Sequence, residues 1–126
     1  NIRDIERIGD HMENLIEFTE FIENNGAQLS EEAMKELNDM LELVVETVSL
    51  AIQSLDQLDV EAAKQVLANE DQIDQMERKL RKNHIVRLNN GICTGSAGVI
   101  FVDIISNLER VGDHATNIAQ SVIEVK

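Results

Sequence analysis

The sequence contains no proline, no tryptophan and no tyrosine, and only three of its 126 residues are phenylalanine. Sheets are enriched in aromatic residues and proline punctuates turns, so these absences argue against a β-rich fold. Leu, Ile, Val, Ala, Glu and Gln are abundant instead. The composition therefore predicts an all-α fold, and the length is that of one domain.

Cysteine and long apolar runs are also scarce. A single cysteine, Cys93, excludes a disulfide within the chain and fits a reducing compartment. No uncharged apolar run approaches the roughly 20 residues that a membrane-spanning helix needs, so we expect no direct membrane insertion by this chain. Because the sequence opens at Asn1 in the middle of an apolar pattern, we interpret it as part of a longer polypeptide.

Positively charged residues are also scarce. The chain has 24 Asp and Glu residues against 11 Lys and Arg residues, which gives a net charge of −13. Such a surface repels nucleic-acid backbones and anionic lipids, so nucleic acid is not an expected partner. Cations and basic proteins are favoured instead.

Four stretches repeat their apolar residues with the helical period. Asn24-Asn25-Gly26 is a typical helix end, Ser30 and Asp59 are plausible N-caps, and the glycine-rich stretch Asn89–Gly98 is predicted to be a loop. Short connections between four helices predict an antiparallel four-helix bundle. The predicted helices cover residues 1–24, 30–55, 59–88 and 101–125.

Two strings in these helices are nearly the same: IERIGDHMENL starts at Ile5 and LERVGDHATNI starts at Leu108. Their offset is constant, since 109 − 6 = 103, and Glu, Arg, Gly, Asp, His and Asn recur at matching positions. Each string places a Glu four residues before an Asp, so that both carboxylates lie on one side of a helix, one turn apart. The two pairs are Glu6 with Asp10 and Glu109 with Asp113.

The third helix has a pair with the same spacing, Glu70 and Asp74. Carboxylate oxygens suit hard cations such as Mg²⁺, Ca²⁺ or Mn²⁺, and they also bridge iron ions or bind zinc. In the alternative interpretation these pairs only cover a solvated face of each helix. The glycines beside the repeated pairs, Gly9 and Gly112, favour a close approach of a ligand or of another helix, because a mid-helix glycine costs roughly 1 kcal/mol relative to alanine.

The helical period places Glu109 and Asp113 on the outer side of the fourth helix, away from its apolar stripe. His11 and His114 lie at the edge of their stripes, and we interpret them as packed against the bundle rather than as metal ligands. The remaining repeated residues, Asn14 and Asn117, are predicted to form hydrogen bonds between helices or to support the acidic pairs. His84 is interpreted as structural, and Cys93 has no evident base beside it.

With the strings LERVGDHATNIA and EDQID in view, the chain resembles the PhoU family of phosphate-uptake regulators. It is most similar to the cytoplasmic PhoU-like domain that follows the membrane part of bacterial sodium/phosphate cotransporters. The family pattern is a three-helix repeat with Glu/Asp-x-x-x-Asp motifs. The resemblance implies one PhoU-like domain over residues 1–126, in which residues 1–24 are the last helix of a preceding repeat and residues 30–126 form a three-helix repeat.

The resemblance also implies a multinuclear metal site, with iron or zinc in the family and other divalent cations as alternatives. The residues that match the family motifs, and are therefore the implied ligands, are Glu6, Asp10, Glu70, Asp74, Glu109 and Asp113. Because a full PhoU protein has two three-helix repeats, a motif that pairs with these is either missing here or supplied by a second copy, which would make a homodimer. The implied partner is a transmembrane transporter domain of the same polypeptide, at the cytoplasmic face of the cell membrane.

The leading hypothesis is a non-catalytic, metal-binding regulatory domain of a sodium-dependent phosphate transporter. A second hypothesis is a helical scaffold without metal, in which the repeat serves packing or dimerisation. The third is a carboxylate-bridged di-metal oxidase, which uses Glu-x-x-His motifs with ligands facing into the bundle. The sequence contains no Glu-x-x-His, so the enzyme hypothesis is the weakest of the three.

Overall fold

A computed structural model describes residues 2–25, 30–91 and 95–125, leaving aside the side chains of residues 19, 21–25, 95 and 96. The described residues form four long helices in a packed bundle, which confirms the predicted all-α fold. The helices are α1 (Ile2–Asn25), α2 (Glu31–Gln57), α3 (Val60–Asn89) and α4 (Gly95–Val125).

Both predicted N-caps are present. The Ser30 hydroxyl accepts a hydrogen bond from the Ala33 amide at 3.1 Å, and the Asp59 carboxylate accepts one from the Ala62 amide at the same distance. Leu58, between α2 and α3, adopts the left-handed conformation with φ of 50°. A left-handed residue reverses the chain within one turn, so α2 and α3 pack side by side.

Helix α4 is central: it contacts α1, α2 and α3. Helices α2 and α3 also pack on each other, whereas α1 does not contact α3 among the described residues. The core therefore forms around α4, where Phe101, Ile105 and Leu108 are fully buried or nearly so. From α1, Leu15 reaches this core and joins the same apolar cluster. The arrangement leaves the acidic faces of α3 and α4 adjacent and keeps α1 away from α3.

The start of α4 differs from the predicted loop at Asn89–Gly98. Helix α3 runs through Asn89 and α4 begins at Gly95, while residues 92–94 lie outside the described part of the chain. Gly98 is buried in the helix, where an added Cβ would lie 3.2 Å from Cε1 of His84. This glycine lets the imidazole pack against the α4 backbone, so here glycine marks a close contact and not a helix break.

The buried face of α2 also differs from the stripe that apolar spacings of three and four predict, which runs through Met34, Leu37, Leu41, Val44, Val48, Ala51 and Leu55. Leu37, Val44 and Ala51 are buried as predicted, but Met34 and Leu41 of that stripe are 39% and 37% exposed. The other half of the buried face comes from residues on the opposite flank: Ala33, Met40, Thr47 and Ser54. Small and hydroxyl-bearing residues can be buried here because the Thr47 and Ser54 hydroxyls donate to helix carbonyls at 2.7 Å.

The two repeated glycines meet different surroundings. An added Cβ at Gly112 would lie 3.3 Å from Cδ1 of Ile73 on α3, whereas a Cβ at Gly9 would meet nothing within 4 Å among the described atoms. Gly112 therefore allows α3 and α4 to approach closely beside the acidic pairs. Gly9 lies on an open face of α1.

This contrast predicts opposite results for matched substitutions. We expect Gly9→Ala to raise the free energy of unfolding of the 126-residue chain by about 0.5–1 kcal/mol, because alanine is the better helix former and has room. Gly112→Val should lower it by about 1–3 kcal/mol, because the added methyl groups press on Ile73. Urea unfolding of both variants, with Gly9→Val as the size-matched control, measures the difference; equal effects at the two sites would contradict the packing role of Gly112.

Candidate metal-binding site

The groove between α3 and α4 is lined by five carboxylates, which we call the acidic groove. Helix α3 contributes residues three and four apart, which lie on one side of the helix, and α4 contributes the second repeated pair. The Glu70 and Asp113 carboxyls approach closely enough to share a hydrogen bond, and so do those of Glu77 and Glu109. The five residues are Glu70, Asp74, Glu77, Glu109 and Asp113.

The carboxylates of the acidic groove disfavour one another's ionisation. Burial raises the pKa of Glu70, a hydrogen bond from Thr116 opposes the rise, and the neighbouring Asp113 and Asp74 carboxyls add to it. Burial likewise raises the pKa of Glu109, with a further contribution from Glu77 and Asp113. Both carboxyls therefore hold a proton more tightly than usual, as expected where like charges face each other without enough positive charge.

One positive side chain reaches this groove. Arg81 donates a hydrogen bond from Nε to Glu77 Oε1 and another from Nη2 to Ser106 Oγ at 3.0 Å, so it links α3 to α4. Its charge opposes the rise in the pKa of Glu109. Within the described part of the chain, Arg81 is the only cationic side chain that forms an ion pair with these carboxylates.

The structure thus brings together four of the six predicted ligands: Glu70 and Asp74 on α3, with Glu109 and Asp113 on α4. Glu109 is half-buried beside Glu77 of α3, whereas Asp113 is exposed on α4, and neither belongs to the apolar core. Across residues 2–25, 30–91 and 95–125, no three His, Cys, Asp or Glu side chains are grouped closely enough to hold one metal ion as they stand. Hard divalent cations prefer oxygen ligands and can keep several water ligands, so two facing carboxylates suit them chemically.

The remaining predicted ligands, Glu6 and Asp10, are not part of the acidic groove. Both are exposed on α1, on either side of the open position at Gly9. Helix α1 packs on α4 and makes no contact with α3 in the described structure. The first repeated pair therefore has no facing helix among the described residues.

The histidines and asparagines of the repeat join α1 to α4 in a reciprocal way. His11 Nδ1 donates to Asn107 Oδ1 and His114 Nδ1 donates to Asp4 Oδ1, both at 2.9 Å. The repeated asparagines donate to the same two acceptors, at 3.4 Å from Asn14 and 3.3 Å from Asn117. Asp4, early in α1, contacts His114, whereas His11, later in α1, contacts the earlier residue Asn107 of α4. The two helices are therefore antiparallel.

The two acceptors, Asp4 and Asn107, are separated by the same offset as the strings, since 107 − 4 = 103. Between the two contacts the imidazole rings of His11 and His114 stack at 5.8 Å. A contact in which equivalent residues exchange roles is what a two-fold relation between two copies of a segment produces. The repeated His and Asn residues therefore serve helix packing, as predicted for the histidines.

The acceptor on α1 is charged. Burial raises the pKa of the Asp4 carboxyl, but hydrogen bonds from His114 and Asn117, together with the His114 charge, outweigh burial and leave the pKa below its usual value. Asp4 is therefore ionised at neutral pH and accepts the hydrogen bonds from His114 and Asn117. These contacts hold the N-terminal half of α1 on α4.

A family model described as the PhoU domain matches residues 37–122, which include the acidic groove and the whole of the second repeated string. The chain belongs to the PhoU family. The match covers α3 fully and most of α2 and α4.

Curated relatives in the PhoU family align with 74% to 98% of the chain. The phosphate-specific transport system accessory protein PhoU homolog 1 of Thermotoga maritima is 33% identical over 123 residues, 98% of this chain and 52% of that protein. A PhoU homolog of Aquifex aeolicus is 32% identical over 98 residues, 74% of this chain and 43% of the relative. A third, from Burkholderia sp, is 27% identical over 98% of this chain and 53% of its own length.

The chain spans about half the length of the curated PhoU relatives it matches. No solved structure matches it significantly. None of the four helices, over the residues described, has the length and apolar character that crossing a membrane requires.

Sequence reasoning missed four residues of these sites: Glu77, Arg81, Asp4 and Asn107. Glu77 falls on the apolar stripe of α3, where the spacing predicts packing, and nothing in the spacing alone pairs Arg81 with Ser106 across two helices. For Asp4 and Asn107 a signal was present, since they share the repeat offset. A comparison of residue types does not detect this match, because Asp4 and Asn107 are different residues whose side-chain oxygens accept equivalent hydrogen bonds.

Proposed function

We propose that this chain is a non-catalytic regulatory part of a phosphate-transport system and that it binds divalent cations in the acidic groove. The observation that carries the proposal is the pair of carboxylate contacts across α3 and α4, Glu70 with Asp113 and Glu77 with Glu109. Membership of the PhoU family supports the regulatory role, because its curated relatives are named accessory proteins of phosphate-specific transport systems.

In the proposed site, the facing carboxylates of Glu70 and Asp113 hold one cation together with water ligands, with Asp74 beside them, and the Glu77 and Glu109 carboxylates lie at the other end of the groove. A bound divalent cation supplies positive charge that offsets their repulsion and ties α3 to α4. Iron or zinc is implied by the family resemblance, and Mg²⁺ or Mn²⁺ suits an oxygen-only donor set equally well. The binding of more than one ion requires the carboxylates of both ends.

Glu6 and Asp10 occupy the same repeat positions as Glu109 and Asp113. We therefore expect them to take part in an equivalent site when an acidic helix covers the open face of α1 around Gly9. That helix would come from a preceding repeat or from a second copy of the chain. Sedimentation of the 126-residue chain with and without Mn²⁺ distinguishes the two sources, since only the second copy makes a cation-dependent homodimer.

The finer biological setting follows from the resemblance: a PhoU-like domain at the cytoplasmic face of the cell membrane, joined to a transmembrane domain that transports phosphate with sodium. Uptake of labelled phosphate in cells tests this link. We expect Glu70→Gln/Asp113→Asn in the full polypeptide to change the response of uptake to phosphate starvation. Uptake and starvation response equal to wild type would contradict the regulatory role of the acidic groove.

Elemental analysis of protein purified without chelator or affinity-tag metal tests the cation site itself. We expect about one or more equivalents of a divalent metal per chain in wild type and their loss in Glu70→Gln/Asp113→Asn. The matched control is Glu42→Gln/Glu46→Gln, which removes two exposed carboxylates with the same spacing from α2. Equal metal content in the two double variants would show that the acidic groove is not the site.

A helical scaffold without metal is the second candidate function. The observation that favours it is the reciprocal contact between α1 and α4, which gives the repeated His and Asn residues a packing role. In that case no stoichiometric metal is present, even after reloading with Mn²⁺, Fe²⁺ or Zn²⁺. The protein would then act only through its helix surfaces.

A further inference from the structure

Charge is distributed unevenly along this chain. None of its 24 acidic residues lies between Arg78 and Val102, whereas five of its 11 basic residues do. The five are Arg78, Lys79, Arg81, Lys82 and Arg87. Arg81 and Arg87 pair with glutamates, while the other three are exposed and form no ion pair with a described residue. The second half of α3 is therefore a positive region in a chain of net charge −13.

An apolar groove lies beside this positive region, where the end of α3 meets the start of α4. Its volume is about 460 Å³, and the side chains that line it include Ile85, Leu88, Val99 and Val102. Ile85 and Val99 are 57% and 63% exposed, and Leu88 is 41% exposed. The imidazole of His84 also lines the groove and is neutral, because burial lowers its pKa. Exposed apolar side chains grouped around a groove are typical of an interaction site.

The positive side chains border the apolar groove on one side only. Arg78, Lys82 and Ile85 follow one another at spacings of four and three residues, which places them on the same side of α3. On α4 the groove is bordered by Asp103, the only carboxylate that lines it among the described residues. A ligand in the groove therefore meets positive charge from α3 and a single negative charge from α4.

From this arrangement we infer that the apolar groove binds an acidic amphipathic helix of a partner protein. The apolar side chains of that helix pack between α3 and α4, as in other complexes in which a helix occupies a hydrophobic groove. Its carboxylates lie over Arg78 and Lys82, on the side away from Asp103. The inference goes beyond the cation site proposed above and does not depend on it, because the apolar groove contains none of the proposed metal ligands.

An anionic membrane is a poorer match for this surface. A bilayer presents a wide plane of negative charge, which would repel a chain of net charge −13. A bound helix contacts only the groove, and charges farther away than roughly 8 Å are largely screened at physiological salt. The groove is also concave, so it suits an inserted side chain better than a flat surface.

Two synthetic peptides test the predicted ligand. One is a helix of about 14 residues with leucines at spacings of three and four and glutamates on the opposite face. The control has the same composition, but its leucines are spread around the helix. We expect fluorescence anisotropy to show binding of the first peptide that weakens as salt is raised, and binding of the control peptide at least about tenfold weaker.

Substitutions on the two sides of the groove should change binding of the amphipathic peptide in opposite directions. We expect Lys82→Glu to weaken it at least about fivefold and Asp103→Asn to tighten it about twofold. The matched control is Lys64→Glu, which reverses the same charge at an exposed site of α3 about 27 Å away and should have little effect. Because Lys82 is exposed, the Lys82→Glu variant should melt close to wild type, so that weaker binding reports a lost contact.

Several results would overturn the inference. They are no binding of either peptide, equal binding of both, and equal weakening by Lys82→Glu and Lys64→Glu, which would reduce the effect to net charge. Vesicles of equal parts phosphatidylcholine and phosphatidylserine test the membrane alternative. If the chain binds these vesicles through Lys82 but does not bind the peptide, the surface meets a membrane and not a helix. None of these outcomes affects the metal content of Glu70→Gln/Asp113→Asn, so the proposed function stands or fails separately.

Discussion

Arg87→Ala should be among the most destabilising single substitutions in this chain, lowering the free energy of unfolding by about 3–5 kcal/mol. The Arg87 side chain is only 5% exposed, and its Nη2 lies 2.9 Å from Oε1 of Glu36 on α2. Its guanidinium also lies over the Phe101 ring on α4, 5.3 Å from the centroid. Truncation would leave the largely buried Glu36 carboxylate without its counter-charge.

The Arg87 site joins three helices through a crowded polar cluster. The His84 ring stacks on Phe101 with the centroids 4.9 Å apart. Burial, together with the nearby Arg87 charge, lowers the pKa of His84 and keeps it neutral. Although Arg87 Nη2 approaches Glu36 Oε1 closely, neither atom has an aligned hydrogen bond within the described residues. The ion pair is therefore held by charge and packing rather than by hydrogen-bond geometry.

Chemical denaturation of Arg87→Ala measures the loss, with Arg78→Ala as the exposed control that should stay within about 0.5 kcal/mol of wild type. Replacing both members of the pair, as in Arg87→Met/Glu36→Leu, should recover much of the loss, since no buried charge is then left unpaired. A loss below about 1 kcal/mol for Arg87→Ala would show that the pair contributes little. A double variant as unstable as Arg87→Ala would refute the unpaired-charge explanation.

The second large effect concerns the acidic groove and has the opposite sign. In the presence of chelator, Glu70→Gln should raise the free energy of unfolding by about 1 kcal/mol, the Coulomb energy of two unit charges 4 Å apart in bulk water. Removal of this charge relieves the repulsion from Asp113 and Asp74. With saturating Mn²⁺ the order should reverse, because a ligand that binds the native state stabilises it in proportion to its affinity, and Glu70→Gln loses that affinity.

The dependence on pH follows from the raised pKa values of Glu70 and Glu109. A carboxyl whose pKa is higher in the folded chain than in the unfolded chain destabilises the fold when it is ionised. This destabilisation is present at neutral pH and is relieved as the pH falls through the folded pKa toward the ordinary value of 4.5. The advantage of Glu70→Gln over wild type in chelator should therefore shrink as the pH is lowered from 7 to below 4.5.

Thermal unfolding at several pH values, with Glu42→Gln on the exposed face of α2 as the control, measures this difference. A bound cation would offset the repulsion that these carboxylates otherwise cause. If Glu70→Gln is less stable than wild type in chelator at pH 7, the like-charge contact is not destabilising. Mn²⁺ that stabilises Glu70→Gln as much as wild type would remove Glu70 from the ligand set.

The sequence by itself determined the helical class, the capping positions at Ser30 and Asp59, and the repeat. These features depend on local spacing and on contacts within one or two turns, which the order of residues specifies directly. The repeat also identified the acidic pairs, because two carboxylates four residues apart share a helix face wherever the helix lies. For the same reason the PhoU resemblance could be stated from LERVGDHATNIA and EDQID, and the family match confirms it.

Only the tertiary structure decided which of these faces meet. The Glu109 and Asp113 carboxyls lie beside Glu77 and Glu70 of α3, where Gly112 lets Ile73 approach. The equivalent pair, Glu6 and Asp10, has no facing helix among the described residues. Spacing could not separate the two, since the strings are nearly the same. Contacts between helices depend on the rotation of each helix about its axis, and that rotation is set by the packing of every neighbour at once.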